Sequence, residues 1–526
     1  MTIKPGDSLG GNLTFGDADW IKVILKKGYA YEFEMRGSVS WSALEIRDQY
    51  GALADRDNND RDDDFSTSTL KFVAQKTGTY FIRAGSAYDD RSGTYELATK
   101  VITAPDFASY DKIAKQLATD YHKNHDKNPP QSWPLKAGGT LTVNLSGLSK
   151  DGRQLAEWAL DAWTGVSGIK FKVVAGTAKI KFDDRGSIPQ AHWSSAEEGK
   201  ITSATVDVPV SWLKQYGTHY NSYSLATYIH EIGHALGLGH AGNYNYEATL
   251  QNTLFANDTK QLSIMSYWNV NQNEWVAASN APAVTPMIAD VLAIQKIYGK
   301  TAINIGDTKH KLKPVFIEGD ARITLVDTAG IDTVDASWSA RVQKINLNAE
   351  AFSSIDGGLN NLSLARGTDI ENAIGGKAND FLYGSSKANM LEGRDGNDTM
   401  VGGAGNDLLS GGRGSDHLTG GAGRDTFIFS SKPEADSVDL IIDFNVKLDT
   451  IQLSAKAFSE VGADGALLHE AFVVGDDAGD ASDRIIYDLL TGKLYYDDDG
   501  SGSHAKQLVA TLDNHAKLTS DDFIIS

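Results

Sequence analysis

Residues 375–428 read GGKANDFLY GSSKANMLE GRDGNDTMV GGAGNDLLS GGRGSDHLT GGAGRDTFI, six blocks of nine. Glycine opens every block, at 375, 384, 393, 402, 411 and 420. The eighth position is always large and apolar: Leu382, Leu391, Met400, Leu409, Leu418 and Phe427. The sixth is Asp380, Asn389, Asp398, Asp407, Asp416 and Asp425. One glycine-rich turn with one very short strand cannot bury its own apolar side chain, but stacked copies bury a continuous ladder of them. The pattern therefore predicts a parallel β-roll. Stacking also lines up the aspartates, which repel unless a cation lies between them. Carboxylates with backbone carbonyls are hard oxygen ligands and select Ca²⁺. Asp398, Asp407, Asp416 and Asp425 are the first calcium candidates, with Asp380 beside them. Lys387 and Asn389 weaken the second block, and Ala378 replaces a glycine in the first.

Upstream, residues 230–240 read HEIGHALGLGH. His230 and His234 are four apart, so on a helix both imidazoles leave one face and can share a metal. Leu225, Ile229, Ile232 and Leu236 give that helix an apolar face. Gly237 lets the chain turn out of the helix, since glycine adopts positive φ cheaply, and the turn can bring His240 round as a third ligand. Three neutral nitrogens leave a fourth zinc position for water, the mark of a catalytic site. Glu231, beside the first histidine, is placed to take a proton from that water and pass it to a leaving amine. The five-position pattern is far more specific than a bare H-E-x-x-H.

Working outward, residues 1–104 alternate apolar and polar residues (Ile21, Val23, Leu25; Tyr29, Tyr31, Phe33, Met35) between glycine turns, which predicts a small β-sandwich. The acidic run from Asp55 to Asp64 reads as a calcium loop or as a solvated hairpin tip. Residues 107–122 have helical spacing (Tyr110, Ile113, Leu117, Tyr121). Residues 123–134 read as a linker by their Pro, Asn and Lys content. A second helix is expected over 151–164, with Leu155, Trp158, Ala159 and Ala162 inward, followed by strands at 169–173 and 180–182. The turn Asp497-Asp498-Asp499-Gly500 reads equally as a calcium loop or a hydrated hairpin.

The chain has 526 residues, long enough for several domains. Its formal net charge of −20 argues against a nucleic-acid partner. With no cysteine, disulfides, zinc ribbons and a cysteine cap on the zinc are excluded. No apolar run is long enough to span a bilayer. The start, MTIKPGDSLGGNLTF, lacks a basic stretch followed by an apolar one, so export by a signal peptide is not expected.

From HEIGHALGLGH (230–240), Gly242 with Tyr244-Asn245, SIMSYW (263–268) and TPMIADVLAIQKIYG (285–299), the segment 105–526 resembles the serralysin family of metzincin metalloproteases. The resemblance implies a zinc-dependent endopeptidase acting on extracellular proteins. It implies that Met265 forms the methionine turn beneath the zinc ligands. It also implies that Tyr267 binds zinc at rest and swings away to stabilise the oxyanion. The family's Pro-Gly-Asp after the third histidine is here Ala241-Gly242-Asn243. The repeats resemble the RTX β-roll, and 439–454 and 487–502 resemble the family's C-terminal cap. The ending Asp521-Asp522-Phe523-Ile524-Ile525-Ser526 resembles the address read by type I secretion, apart from its final Ser. Residues 1–104 resemble the bacterial pre-peptidase C-terminal domain, through Gly16-Asp17-Ala18-Asp19-Trp20 and Gly-Thr-Tyr at 78–80 and 93–95. The expected architecture is thus multidomain, α+β and β: a β-sandwich (1–104), a metzincin catalytic domain (105–300), and a calcium-binding roll with a β cap (301–526). A secreted monomer is expected. Scarce cytosolic calcium would leave the roll unfolded and exportable, and calcium outside the cell would fold it.

Overall fold

Alternating apolar residues build two four-stranded antiparallel sheets over the first hundred residues. One is ordered Ser8–Leu13, Gly93–Ile102, Ala30–Gly37, Thr67–Val73; the other Asp19–Leu25, Gly78–Ser86, Ser42–Arg47, Leu53–Arg56. Ile21, Val23, Leu25, Tyr31, Phe33 and Met35 are buried in an apolar cluster of their own, while Tyr29 sits on the turn and is exposed. The computed structural model describes the whole chain except residues 16, 57–66, 88–90, 246, 247, 250–252, 274, 317, 318 and 434–436. The acidic run at 57–64 and Gly16 fall outside the described residues.

The next sheet is ordered Lys170–Val173, Thr140–Gly147, Ile180–Asp183, Ile201–Asp207, Gln190–Ser195. Its first four strands are parallel, and the edge strand Gln190–Ser195 is antiparallel. The helix Lys150–Ser167 starts where Ser149 Oγ accepts from Gly152 N–H and stops at left-handed Gly168. Its buried face is Leu155, Ala156, Ala159, Leu160, Trp163 and Val166. The expected stripe is rotated, leaving Trp158 and Ala162 at the flank, because Trp163 turns inward and its Nε1 donates to Ile229 O at 2.9 Å.

A larger departure concerns 107–134. An α-helix over Tyr110–Lys115 continues as wider π-turns over Gln116–Asp120 and His122–Asp126, so helix runs into the expected linker. Lys127, Asn128 and Pro129 are exposed as a linker would be, but Gln131 and Trp133 are buried. The cause is a helix end elsewhere. The last carbonyls of the HEIGH helix lack intrahelical partners. Trp133 Nε1 donates to Ala235 O (2.9 Å), Tyr298 Oη donates to Leu236 O (2.7 Å), and His122 Nε2 lies 2.9 Å from Gly237 O.

From Asn372 through the repeats, successive short strands alternate between two sheets and run parallel within each. Phe381–Tyr383, Thr399–Ala404 and His417–Ala422 fall in one; Met390–Asp395, Leu408–Arg413 and Thr426–Phe429 fall in the other. Two blocks make one turn, so Leu382 pairs with Met400 and Met400 with Leu418, while Leu391 pairs with Leu409 and Leu409 with Phe427. All six are fully buried. The coil starts before the repeats, with Thr333–Asp335 and Lys344–Asn346 already in the two sheets. It ends where Thr450–Leu453 pairs with Phe523–Ile525 and where the antiparallel strands Ile485–Asp488, Lys493–Tyr496 and Gln507–Leu512 extend the other sheet. The N-terminal sheets touch the first turns of this coil: Tyr383 Oη donates to Asp48 (3.2 Å) and Lys344 Nζ to Leu53 O (3.3 Å).

Candidate active site and cation ladder

The helix Tyr223–Ala235 begins where Ser222 Oγ accepts from Leu225 N–H. His230 and His234 stand one turn apart on it. Gly237 follows at φ +96°, and a Cβ there would lie 2.3 Å from Gln131 O, so glycine is required on both counts. The turn returns His240 to the other two. His234 Nε2 is 3.1 Å from His230 Nε2 and 3.0 Å from His240 Nε2.

Proton placement makes this cluster able to hold a metal. His230 Nδ1 faces Ile264 O and His234 Nδ1 faces Leu238 O, both at 2.8 Å. A carbonyl only accepts, so each Nδ1 carries the proton and each Nε2 presents a bare lone pair. His240 Nδ1 sits 3.2 Å from the Tyr121 hydroxyl. Lone pairs gathered this closely repel unless a cation lies among them. Tetrahedral zinc with Zn–N near 2.0–2.1 Å needs nitrogens roughly 3.3 Å apart, close to the spacing here. Burial, reinforced by the neighbouring rings, holds His230 and His240 well below the usual imidazole range, and burial takes His234 down to about 4. All three imidazoles are therefore neutral at neutral pH. The donor set fits zinc.

Glu231 is buried, and burial followed by the charge of Asp207 raises its carboxyl to about 8. A cation on the adjacent imidazoles would act in the opposite direction. Met265 lies under the helix. A Cβ on Gly233 would meet its Sδ at 2.5 Å and Trp163 at 3.2 Å, so the glycine inside HEIGH is what admits the methionine. The Tyr267 ring reaches the trio, with its centroid 4.6 Å from that of His240 and 6.0 Å from that of His230.

Several supporting residues escaped the sequence reading. Asp290, fully buried, accepts from Ser263 Oγ (2.6 Å), Ile264 N (2.7 Å) and Met287 N (2.8 Å), tying the methionine turn to the helix Ile288–Tyr298. Asp258 accepts from Ser266 Oγ (2.6 Å) and Tyr244 Oη (3.0 Å). Burial raises both carboxyls to about 6. Tyr121 approaches His240 from 119 residues away. Asp290 lies inside the stretch TPMIADVLAIQKIYG and interrupts an apolar run, and Tyr244 and Tyr121 are visible as residues, but no local pattern marks these partnerships or Asp258.

Along the roll, each aspartate accepts a backbone N–H from the residue one turn earlier. Asp398 Oδ1 accepts from Asp380 N, Asp407 from Asn389 N, Asp416 from Asp398 N and Asp425 from Asp407 N, at 2.6–3.0 Å. Asp439 and Asp449 extend the series, accepting from Asp416 N and Asp425 N. The second oxygens of Asp398, Asp407, Asp416 and Asp425 are buried with no partner. Orphaned carboxylate oxygens cost too much to bury bare, and hard oxygens of this kind fit Ca²⁺. Asp380 differs, because its Oδ2 accepts from Gly376 N. Burial raises Asp407 and Asp416 to about 6. Burial together with the neighbouring aspartates raises Asp398 and Asp439 to about 8. The block-opening glycines make room for these groups: a Cβ on Gly393, Gly402, Gly411 or Gly420 would come within 2.0–2.5 Å of the carboxylate five residues on. A further buried pair precedes the repeats. Asp327 and Asp332 each leave one oxygen without a partner, and neither was foreseen. At 497–500, Asp497 Oδ1 accepts from Asp499 N and Gly500 N, and the same turn brings Asp498, Asp499 and His504 close enough to hold a cation, so features of both the hairpin and the calcium-loop reading are present.

A family model described as Peptidase M10 serralysin C terminal matches residues 320–524. A serralysin of Proteus mirabilis is 32% identical over a match covering 57% of this chain and 69% of its own length. The metalloprotease AprA of Pseudomonas entomophila is 33% identical, with 61% and 66% covered. Serralysin C of Dickeya chrysanthemi is 37% identical, with 43% and 52% covered. The chain thus spans between half and about two thirds of the length of these curated relatives. No helix among the described residues is long and apolar enough to cross a membrane.

Proposed function

This chain belongs to the serralysin family, and we propose that it is a secreted zinc-dependent endopeptidase that hydrolyses peptide bonds of extracellular proteins. The observation that carries the reading is the convergence of three imidazole Nε2 atoms, two of them with lone pairs bared by Nδ1–carbonyl bonds, beside the buried carboxyl of Glu231. Bound there through His230, His234 and His240, zinc would polarise the scissile carbonyl and bring the pKa of a water towards roughly 7. Glu231 takes the proton of the attacking water and returns it to the leaving nitrogen. Tyr267 donates a hydrogen bond to the carbonyl oxygen as negative charge grows on it. The edge strand Gln190–Ser195 packs against the zinc helix and pairs on one side only, so an extended peptide can add to its other side and lie across the imidazoles.

Residues 301–526 serve as a calcium-stabilised module. Asp398, Asp407, Asp416 and Asp425 are the ligands, and Asp380 contributes least because its second oxygen is already bonded. Low calcium keeps this module unfolded for a type I secretion apparatus, and calcium outside the cell folds it. The chain acts as a monomer on protein or peptide substrates. Hydrolysis of casein by purified protein in millimolar calcium tests the reading. Activity should be lost in Glu231→Ala with zinc still bound. Full activity in that variant would contradict it.

A further inference from the structure

Tyr267 sits two residues after Met265, and its backbone is fixed by a group outside its own loop. Tyr267 N–H donates to Tyr244 Oη (3.3 Å), and Tyr244 Oη spends its single proton on Asp258, 3.0 Å from both carboxylate oxygens. Ser266 Oγ donates to the same carboxylate at 2.6 Å. Two consecutive residues of the turn therefore hang on one buried acid, one of them through Tyr244. The Tyr244 ring also lies against both functional rings, 4.8 Å from Tyr267 at 34° and 5.6 Å from His240 at 36°. Tyr244, Asp258 and Ser266 are all at most 2% exposed. The loop after the third histidine is shaped to seat this tyrosine: a Cβ on Gly242 would come within 2.3 Å of the Tyr244 ring and 2.9 Å of Asp258 Oδ2.

A side chain that must occupy one place at rest and another during reaction needs a fixed hinge and a wall to define each place. We propose that Tyr244 is a positioning residue for Tyr267, its hydroxyl pinning the hinge amide and its ring forming the wall that sets where the Tyr267 phenol lies relative to His240. The inference rests on the zinc-peptidase reading and on the two positions, at the metal and at the oxyanion, that the serralysin resemblance implies for Tyr267. Because the Tyr244 hydroxyl reaches the site only through the Tyr267 amide, its removal should matter only while the Tyr267 hydroxyl is present.

The test is a double-mutant cycle of Tyr244→Phe and Tyr267→Phe in the full chain with zinc and calcium. Tyr244→Phe keeps the ring and drops the link. It should lower kcat roughly tenfold with KM nearly unchanged, a transition-state effect. Adding it to Tyr267→Phe should cost nothing more. A second readout uses Cu²⁺ in place of zinc: a phenolate-to-copper absorption band absent in Tyr267→Phe should be weakened or shifted in Tyr244→Phe. If Tyr244→Phe does not fold, Asp258→Asn, which leaves both rings in place, carries the same cycle. Losses that multiply in the double variant, or a Tyr244→Phe protein with unaltered kcat and copper spectrum, would overturn the proposal and leave the peptidase reading standing. A zinc-loaded wild type that cleaves no peptide would instead overturn that reading.

Discussion

At the three histidines, each ring nitrogen turned away from the cluster already has a protein partner: Ile264 O, Leu238 O or the Tyr121 hydroxyl. Along the roll, Asp398, Asp407, Asp416 and Asp425 each have one oxygen bonded to the preceding turn and the other buried with no partner. The first site is aimed by neutral groups that stay in place without a metal, on a helix whose apolar face is deep in the core. The second is part of the framework it completes, because the same aspartates that cross-link successive turns bring in the charge that must be cancelled. Metal loss should therefore silence the first region and dissolve the second.

The largest expected effect is on the roll. Chelating calcium should abolish its β signal in far-UV circular dichroism, and a roll equally ordered with chelator and with millimolar calcium would break the comparison. Next comes chemistry without a fold change. Glu231→Gln should lower kcat by about 10²–10⁴-fold with zinc content and melting temperature near wild type, measured by steady-state kinetics. Within the ladder, Asp407→Asn should raise the calcium midpoint for folding more than Asp380→Asn, because Asp380 Oδ2 is already satisfied; equal midpoint shifts would sharpen the ligand assignment against us.

Acidity gives a smaller effect of known sign. The calcium-free folded carboxyls of Asp398, Asp407, Asp416 and Asp439 titrate near 6 to 8, above the ordinary carboxylate range. Between about pH 4 and 8 the folded roll then binds more protons than the unfolded chain, so its stability falls as pH rises. In chelator, thermal melts should show more ordered roll at pH 5 than at pH 8. The smallest effect is packing at the zinc helix. Gly233→Ala presses a methyl on Met265 Sδ and should cost about 1–3 kcal/mol in chemical denaturation of the catalytic unit.

What was legible in the sequence followed local spacing. A four-residue interval places two imidazoles on one face, and a nine-residue period stacks leucines and aspartates, whatever lies elsewhere. The glycine at the head of each block was visible as a period, but its reason, the carboxylate five residues on, needed the coil to be closed. Groups that act across long separations left little trace. Asp258 reads as one polar residue among many, and Tyr121 looks like a helix-face aromatic until His240 arrives beside it. The stretch 123–134 has a linker's composition, yet Trp133 is drawn inward to cap the helix that carries His230 and His234, as is His122 just before the stretch. Asp327 and Asp332 lie before the repeats and outside their period, so the pattern that marked the other acids could not mark them.

The most direct test is to strip zinc from the calcium-replete chain and restore it stepwise while following casein hydrolysis and far-UV circular dichroism together. Activity should return in proportion to zinc, saturating at one ion per chain, with the dichroism unchanged throughout. Hydrolysis that persists without zinc, or a fold that collapses and rebuilds with it, would contradict a pre-aimed catalytic zinc centre.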